Sequence, residues 1–134
     1  MKITGRCHCN KITYEAEIDL DNIVICHCTD CQTLSGSAFR TVAMTKTGAF
    51  KLLTGTPKIY VKIGDSGNER EQSFCPECGS PIYSTSTDDG PRIYGIRLGT
   101  VDQRSSISPL MQKWIGSCQR WTQDIAALPV SDKD

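Results

Sequence analysis

Hydrophobic and polar residues trade places at every step across residues 11–18. Ile12, Tyr14, Ala16 and Ile18 fall on one side, and Lys11, Thr13, Glu15 and Glu17 on the other. A period of two sends successive side chains to opposite faces, so this stretch predicts a half-buried strand. The period returns at 58–63, where Ile59, Val61 and Ile63 alternate with Lys58, Tyr60 and Lys62 and predict a strand with one wet face. Extended segments are also expected at 23–25, 37–44, 49–53, 81–84 and 92–98. Thr47-Gly48, Thr54-Gly55-Thr56-Pro57, residues 64–68 and Asp88-Asp89-Gly90-Pro91 supply the turn residues between them. Residues 29–36 read as a turn or a single helical turn. Residues 107–115 stay ambiguous, with Pro109 against a long helix. Turn signals spaced roughly 8–12 residues apart predict a mainly β sandwich or distorted barrel. It is read as a single domain over 1–134, with about 126–134 as a loose tail.

Composition narrows the function. A chain of 134 residues can bury roughly 68% of its unfolded surface unaided, so two metal sites are not needed merely for it to fold. Lys plus Arg and Asp plus Glu both number 15. That balance leaves no basic excess to neutralise phosphates and argues against nucleic-acid binding. No apolar run approaches the roughly 18 residues of a membrane span, and residues 1–7 carry no apolar signal segment. The expected setting is therefore the cytoplasm, with no membrane partner. In a reducing compartment, eight cysteines favour metal over disulfides.

Seven of those eight lie in motifs: Cys7-His8-Cys9, Cys26-His27-Cys28-Thr29-Asp30-Cys31 and Cys75-Pro76-Glu77-Cys78-Gly79. Cys75 and Cys78, followed by glycine, have the form of a zinc knuckle, in which the glycine lets the backbone turn tightly beneath the metal. A redox C-x-x-C would want a βαβ context that this pattern lacks. Two partners for the knuckle are open by spacing. Cys28 and Cys31 would complete a ribbon and leave Cys7, Cys9 and Cys26 over. Cys7 and Cys9 would instead leave the compact trio Cys26, Cys28 and Cys31. The second division keeps each motif whole and gathers the trio with the smaller loop-closure entropy.

Ligand number then bears on chemistry. Four thiolates on Zn²⁺ make a closed structural site, whereas three keep a position open. Such an electron-rich zinc polarises a carbonyl weakly and suits a fourth thiolate better than an activated water. A substrate thiol is the expected visitor. His8 and His27 sit between the two cysteines of a C-x-C and should point away from the metal, as solvent-facing or supporting imidazoles. Asp30 is expected to stabilise its turn or to be solvated. Cys118 is read as a small apolar residue near Trp114 and Trp121, with the alternative of a distant fourth ligand to the trio. No side chain outside the trio is assigned a catalytic role.

Gly5-x-Cys7-His8-Cys9, Cys26-His27-Cys28-x-x-Cys31 with Gly36-Ser37-x-Phe39, Cys75-x-x-Cys78-Gly79, and late Trp121 with Leu128-Pro129 together resemble the glutathione-dependent formaldehyde-activating enzyme family. It is also called the centromere protein V domain family. The resemblance implies an Mss4-like zinc-bound β fold and two Zn²⁺ per chain. It also implies a structural zinc on Cys7, Cys9, Cys75 and Cys78, and a second zinc, associated with activity, on Cys26, Cys28 and Cys31. The implied reaction joins formaldehyde to glutathione as S-hydroxymethylglutathione, a carbon–sulfur lyase activity. Three positions depart from the pattern: Asn10 stands where glycine is usual, Gln112-Lys113-Trp114 where a His-Ile pair is common, and Arg120 where proline adjoins the tryptophan. The competing reading is a non-enzymatic zinc module that binds a protein partner.

Overall fold

The computed structural model describes residues 1–133. Eight strands and one short helix follow in the order β1 (Lys2–Arg6), β2 (Thr13–Cys26), α1 (Thr29–Ser35), β3 (Arg40–Thr54), β4 (Lys58–Ile63), β5 (Glu69–Phe74), β6 (Pro81–Ser86), β7 (Gly95–Arg97) and β8 (Met111–Lys113). The main sheet runs β1-β2-β3-β7-β6-β5-β4, every pair antiparallel. Strand β8 lies parallel to the last three residues of β2. The protein is a mainly β single domain built on one connected sheet.

The alternating apolar residues of the first predicted strand do face the core: Ile12, Tyr14, Ala16 and Ile18 are all buried. They pack with Ile3, Ile23, Ala43, Ile82, Ile96 and Val101. Each isoleucine or valine among them contributes about 1.5–3 kcal/mol when fully buried. Phe50, Tyr83 and Tyr94 close one end, with ring centroids 4.7–5.0 Å apart.

Two expected breaks are absorbed rather than made. The segments at 11–18 and 23–25 join as the single strand β2, with register shifts on either side of Ile18. The turn expected at Thr47-Gly48 is a kink inside β3: Ala16 pairs Phe50, Ile18 pairs Thr45, and Gly48 sits at φ 71°. Such irregularities bend a long strand without ending it. The ambiguous stretch resolves as β8, held by Leu110 N–H donating to the Ile23 carbonyl (2.9 Å) and His27 N–H to that of Lys113 (3.0 Å).

Strand β4 has no buried face, and only Lys62 on it is partly covered. Its apolar residues Ile59, Val61 and Ile63 are exposed, the last at 70%, while the Lys62 side chain is only 22% exposed. The cause is position: β4 is an edge strand, beyond the reach of the core, and Lys62 alone reaches from it to a cavity that holds charge.

Candidate metal centres

Strand β1 delivers Cys7 to a tight turn in which Asn10 N–H donates to the Cys7 carbonyl (3.1 Å) and Cys7 N–H to that of Ile12 (3.0 Å). Asn10 adopts φ 63°, a left-handed conformation that asparagine tolerates. The turn therefore forms without glycine. Across the molecule, between β5 and β6, Gly79 at φ 74° lets its N–H return to the Cys75 carbonyl (2.8 Å).

The two turns meet. The sulfurs of Cys7, Cys9, Cys75 and Cys78 all lie within 4.8 Å of one another, with Cys7 and Cys9 3.5 Å apart and Cys9 and Cys75 3.7 Å apart. A disulfide would need about 2.05 Å. A tetrahedron with Zn–S bonds of about 2.3 Å has edges of about 3.8 Å, so the spacing is that of ligands around one ion. Ile12 N–H donates to Cys7 Sγ (3.3 Å), and Cys78 Sγ lies 3.2 Å from Ser80 Oγ. Both contacts suit sulfur that carries negative charge.

The second cluster is built within six residues. β2 ends on Cys26. Cys28 is the cap of α1, its sulfur accepting from Cys31 N–H at 3.3 Å, a place ordinarily taken by a side-chain oxygen. The first turn of α1 then swings Cys31 back toward the pair, and Gly36 at φ 63° stops the helix. The three sulfurs lie within 4.8 Å of one another, and all three residues are partly exposed. Without an ion the thiols share protons. The hydrogen bond from Cys31 pulls Cys26 down to about 5, and the same bond holds Cys31 above its ordinary value. A set that so readily carries an anion fits a divalent cation. Each cluster could thus hold a metal ion such as zinc, one with four thiols and one with three.

The remaining candidates separate clearly. His8 is exposed. His27 is not solvent-facing: its ring is buried against the edge of Phe39, with centroids 5.5 Å apart. Its Nε2 lies 2.8 Å from Gln112 Oε1, so Nε2 carries the hydrogen and Nδ1 is left without a partner. The His27 carbonyl accepts from Gln32 Nε2 (2.8 Å) and Ser117 Oγ (2.9 Å), tying the trio's loop to the chain after β8. Of the two expected places, facing solvent or supporting the loop, His27 takes the second, against Gln112 of β8. Asp30 pairs with Lys62 at 2.5 Å. Cys118 stands outside both clusters.

Beside the trio lies a cavity of about 310 Å³, lined by Cys26, Cys31, Arg40, Arg97 and Trp114 among others. Its floor follows from register, since residues opposite one another in a sheet share a face. Cys26 stands opposite Arg40, Val42 opposite Arg97, Ser84 opposite Gln72, and Arg70 opposite Lys62. With Lys113, opposite Cys26 on β8, five cations line this one cavity. Arg40 and Arg97 are buried. Burial first, and then the like charge of Arg40, push the Arg97 guanidinium down to about 9, still charged at neutral pH. At the mouth, Trp114 is held at φ 59°, ψ 41°, a strained conformation for a bulky residue and of the kind stored at functional sites. Sequence reasoning picked out none of these basic residues for the site. The only signal for them is their parity along strands, which needs the register to be read.

A family model described as glutathione-dependent formaldehyde-activating enzyme matches residues 2–117. The crystal structure of a Rhodobacter sphaeroides protein superposes with a TM-score of 0.61 at 16% identity, covering 82% of this chain and 99% of that one. At that identity the likeness is one of fold. Among the described residues, no helix is long and apolar enough to cross a membrane.

Proposed function

Because the chain belongs to the glutathione-dependent formaldehyde-activating enzyme family, we propose that it is a zinc-dependent enzyme of the carbon–sulfur lyase type, acting on glutathione or a glutathione adduct. Cys7, Cys9, Cys75 and Cys78 hold a structural zinc in this reading, and Cys26, Cys28 and Cys31 a second one with a position free. The observation that carries it is the partly exposed trio opening onto a cavity of about 310 Å³, at the lower end of the usual range for small-molecule sites. Zinc bound by three thiolates supplies a place for a substrate thiol, lowering its pKa and orienting its sulfur.

The protein's own residues do the rest. Arg40, directly across from Cys26, places positive charge where thiolate charge collects. Gln32 and Ser117 fix the loop that carries the trio. Trp114 lines the same cavity and offers an apolar surface beside the trio. In the reaction, the thiol sulfur bonds to the aldehyde carbon, the carbonyl π bond breaks, and the thiol's proton ends on the new hydroxyl. Nothing is oxidised or reduced.

The test uses zinc-loaded protein. Calorimetry should show glutathione binding, and NMR should show faster appearance of the hydroxymethyl adduct than in buffer. The absence of both binding and acceleration would end this reading. One observation favours the second reading, a protein-binding zinc module: Leu110, Trp114, Ile115, Trp121 and Leu128 are all more than half exposed. That module would bind a partner and leave the adduct rate unchanged.

A further inference from the structure

The cavity beside the trio holds more positive charge than the trio can use. Five basic side chains line it. Asp30 neutralises Lys62, and three thiolates on one divalent ion leave a single negative charge. Three cations are left over. The two deepest, Arg40 and Arg97, are 6% and 8% exposed. Their one shared partner is neutral: Gln72 Oε1 accepts from Arg97 Nη2 at 2.8 Å and from Arg40 Nη1 at 3.4 Å. Among the described residues, no carboxylate lies within ion-pair distance of either guanidinium. Arg97 Nε is buried with no hydrogen-bond partner at all.

Two like charges side by side, away from water, with no carboxylate partner and only the trio's single net negative charge nearby, are costly to the free protein. A guanidinium with idle N–H groups in a fixed planar fork matches the two oxygens of a carboxylate. Gln72 adds the register, because a single carbonyl oxygen holding both guanidiniums sets their spacing before a ligand arrives. Both arginines lie deep rather than on the rim, in the wall that this cavity shares with a second one of about 390 Å³.

We infer that Arg40, Gln72 and Arg97 form an anion subsite that takes a carboxylate of the substrate, next to the metal position that takes its sulfur. The inference rests on the proposed function for the meaning of "substrate". The subsite itself is a property of the cavity and can be measured without turnover. The carboxylate can arrive on the thiol, as in glutathione, or on the aldehyde partner, as in a 2-oxo acid such as glyoxylate.

The experiment is calorimetry on zinc-loaded protein with glutathione, cysteamine, glyoxylate and malonate, compared between wild type, Arg97→Met and Arg97→Lys. Malonate should bind the wild type, and Arg97→Met should weaken it by about tenfold to a hundredfold, the range for losing a hydrogen bond to a charged group. Arg97→Lys, which keeps the charge and loses the fork, should fall between them. Arg97→Met should also melt higher than wild type without ligand, since an unpaired buried charge has been replaced by an apolar side chain; a purely structural arginine would make it melt lower. A selective loss for glutathione with cysteamine unchanged places the carboxylate on the thiol. A selective loss for glyoxylate places it on the aldehyde. Equal carboxylate binding by all three proteins, or a lower melting temperature with binding intact, overturns the subsite. If malonate binds in this way while glutathione does not react, the subsite stands and the proposed reaction falls.

Discussion

A Cβ on Gly5 would stand 2.2 Å from the Tyr14 ring and 2.7 Å from the Thr100 carbonyl oxygen. Tyr14 is itself fully buried, its hydroxyl 2.8 Å from Thr100 Oγ1, so neither neighbour has room to give. Gly5→Ala should destabilise by about 1–3 kcal/mol or more, the cost of overpacking, read as a fall in melting temperature; unchanged melting would mean the strand can slide. The same tyrosine predicts an alkaline limit. Burial pushes its hydroxyl from 10.0 up to about 12, because the folded state disfavours the phenolate. A raised folded value means that this stability is fully present below pH 10 and is lost as pH climbs toward 12. Tyr14→Phe should lose about 1 kcal/mol at pH 8, where the Thr100 hydrogen bond is gone. Its stability should then fall less steeply than wild type between pH 10 and 11, as followed by urea unfolding.

Strand β4 shows how far local pattern carries. Its alternation identified the element correctly, from Lys58 to Ile63, but not which face is wet. That choice depends on neighbours: an edge strand beyond the core has no apolar surface to meet, and Lys62, opposite Arg70, is its one residue that lines the cavity beside the trio. The C-terminal 3-10 segment at Arg120–Ala127 makes the opposite case. None of its residues is buried, so removing it deprives the core of nothing. Its link to the rest is polar, Gln123 Nε2 donating to Gln112 Oε1 (3.2 Å), the oxygen that also faces His27. A chain ending at residue 119 should keep its melting temperature within a few degrees, by the burial argument. The His27 ring should become more mobile, visible as broadened imidazole signals by NMR. A large loss of stability would show that the segment packs on the sheet.

Across the whole molecule, what was legible and what was not divide by distance along the chain. The trio is local: Cys26, Cys28 and Cys31 converge through one strand end and one helical turn, and spacing announces them. The four-thiol set is distant, yet each half is a self-contained turn, so pairing the halves was a choice between two divisions. The basic floor is neither local nor a motif. Arg40, Lys62, Arg70, Arg97 and Lys113 sit on five strands and meet only through register. The same geometry says what each metal would hold. Cys7 and Cys9 lie between β1 and β2, Cys75 and Cys78 between β5 and β6, so an ion there joins the two ends of the curved sheet. An ion on the trio closes only a six-residue loop. Structural zinc is worth about 10–16 kcal/mol, comparable with the 5–15 kcal/mol of a whole domain, so loss of the first should unfold the protein and loss of the second should not. Chelator titration of the zinc-loaded protein should therefore release one equivalent with the far-UV circular dichroism intact, and the second only as the signal collapses. Cys28→Ser should bind one zinc and melt cooperatively, and Cys75→Ala should be unfolded. Release of both ions in a single unfolding step, or equal damage from the two substitutions, would mean that the trio also carries the fold and has no position to spare for chemistry.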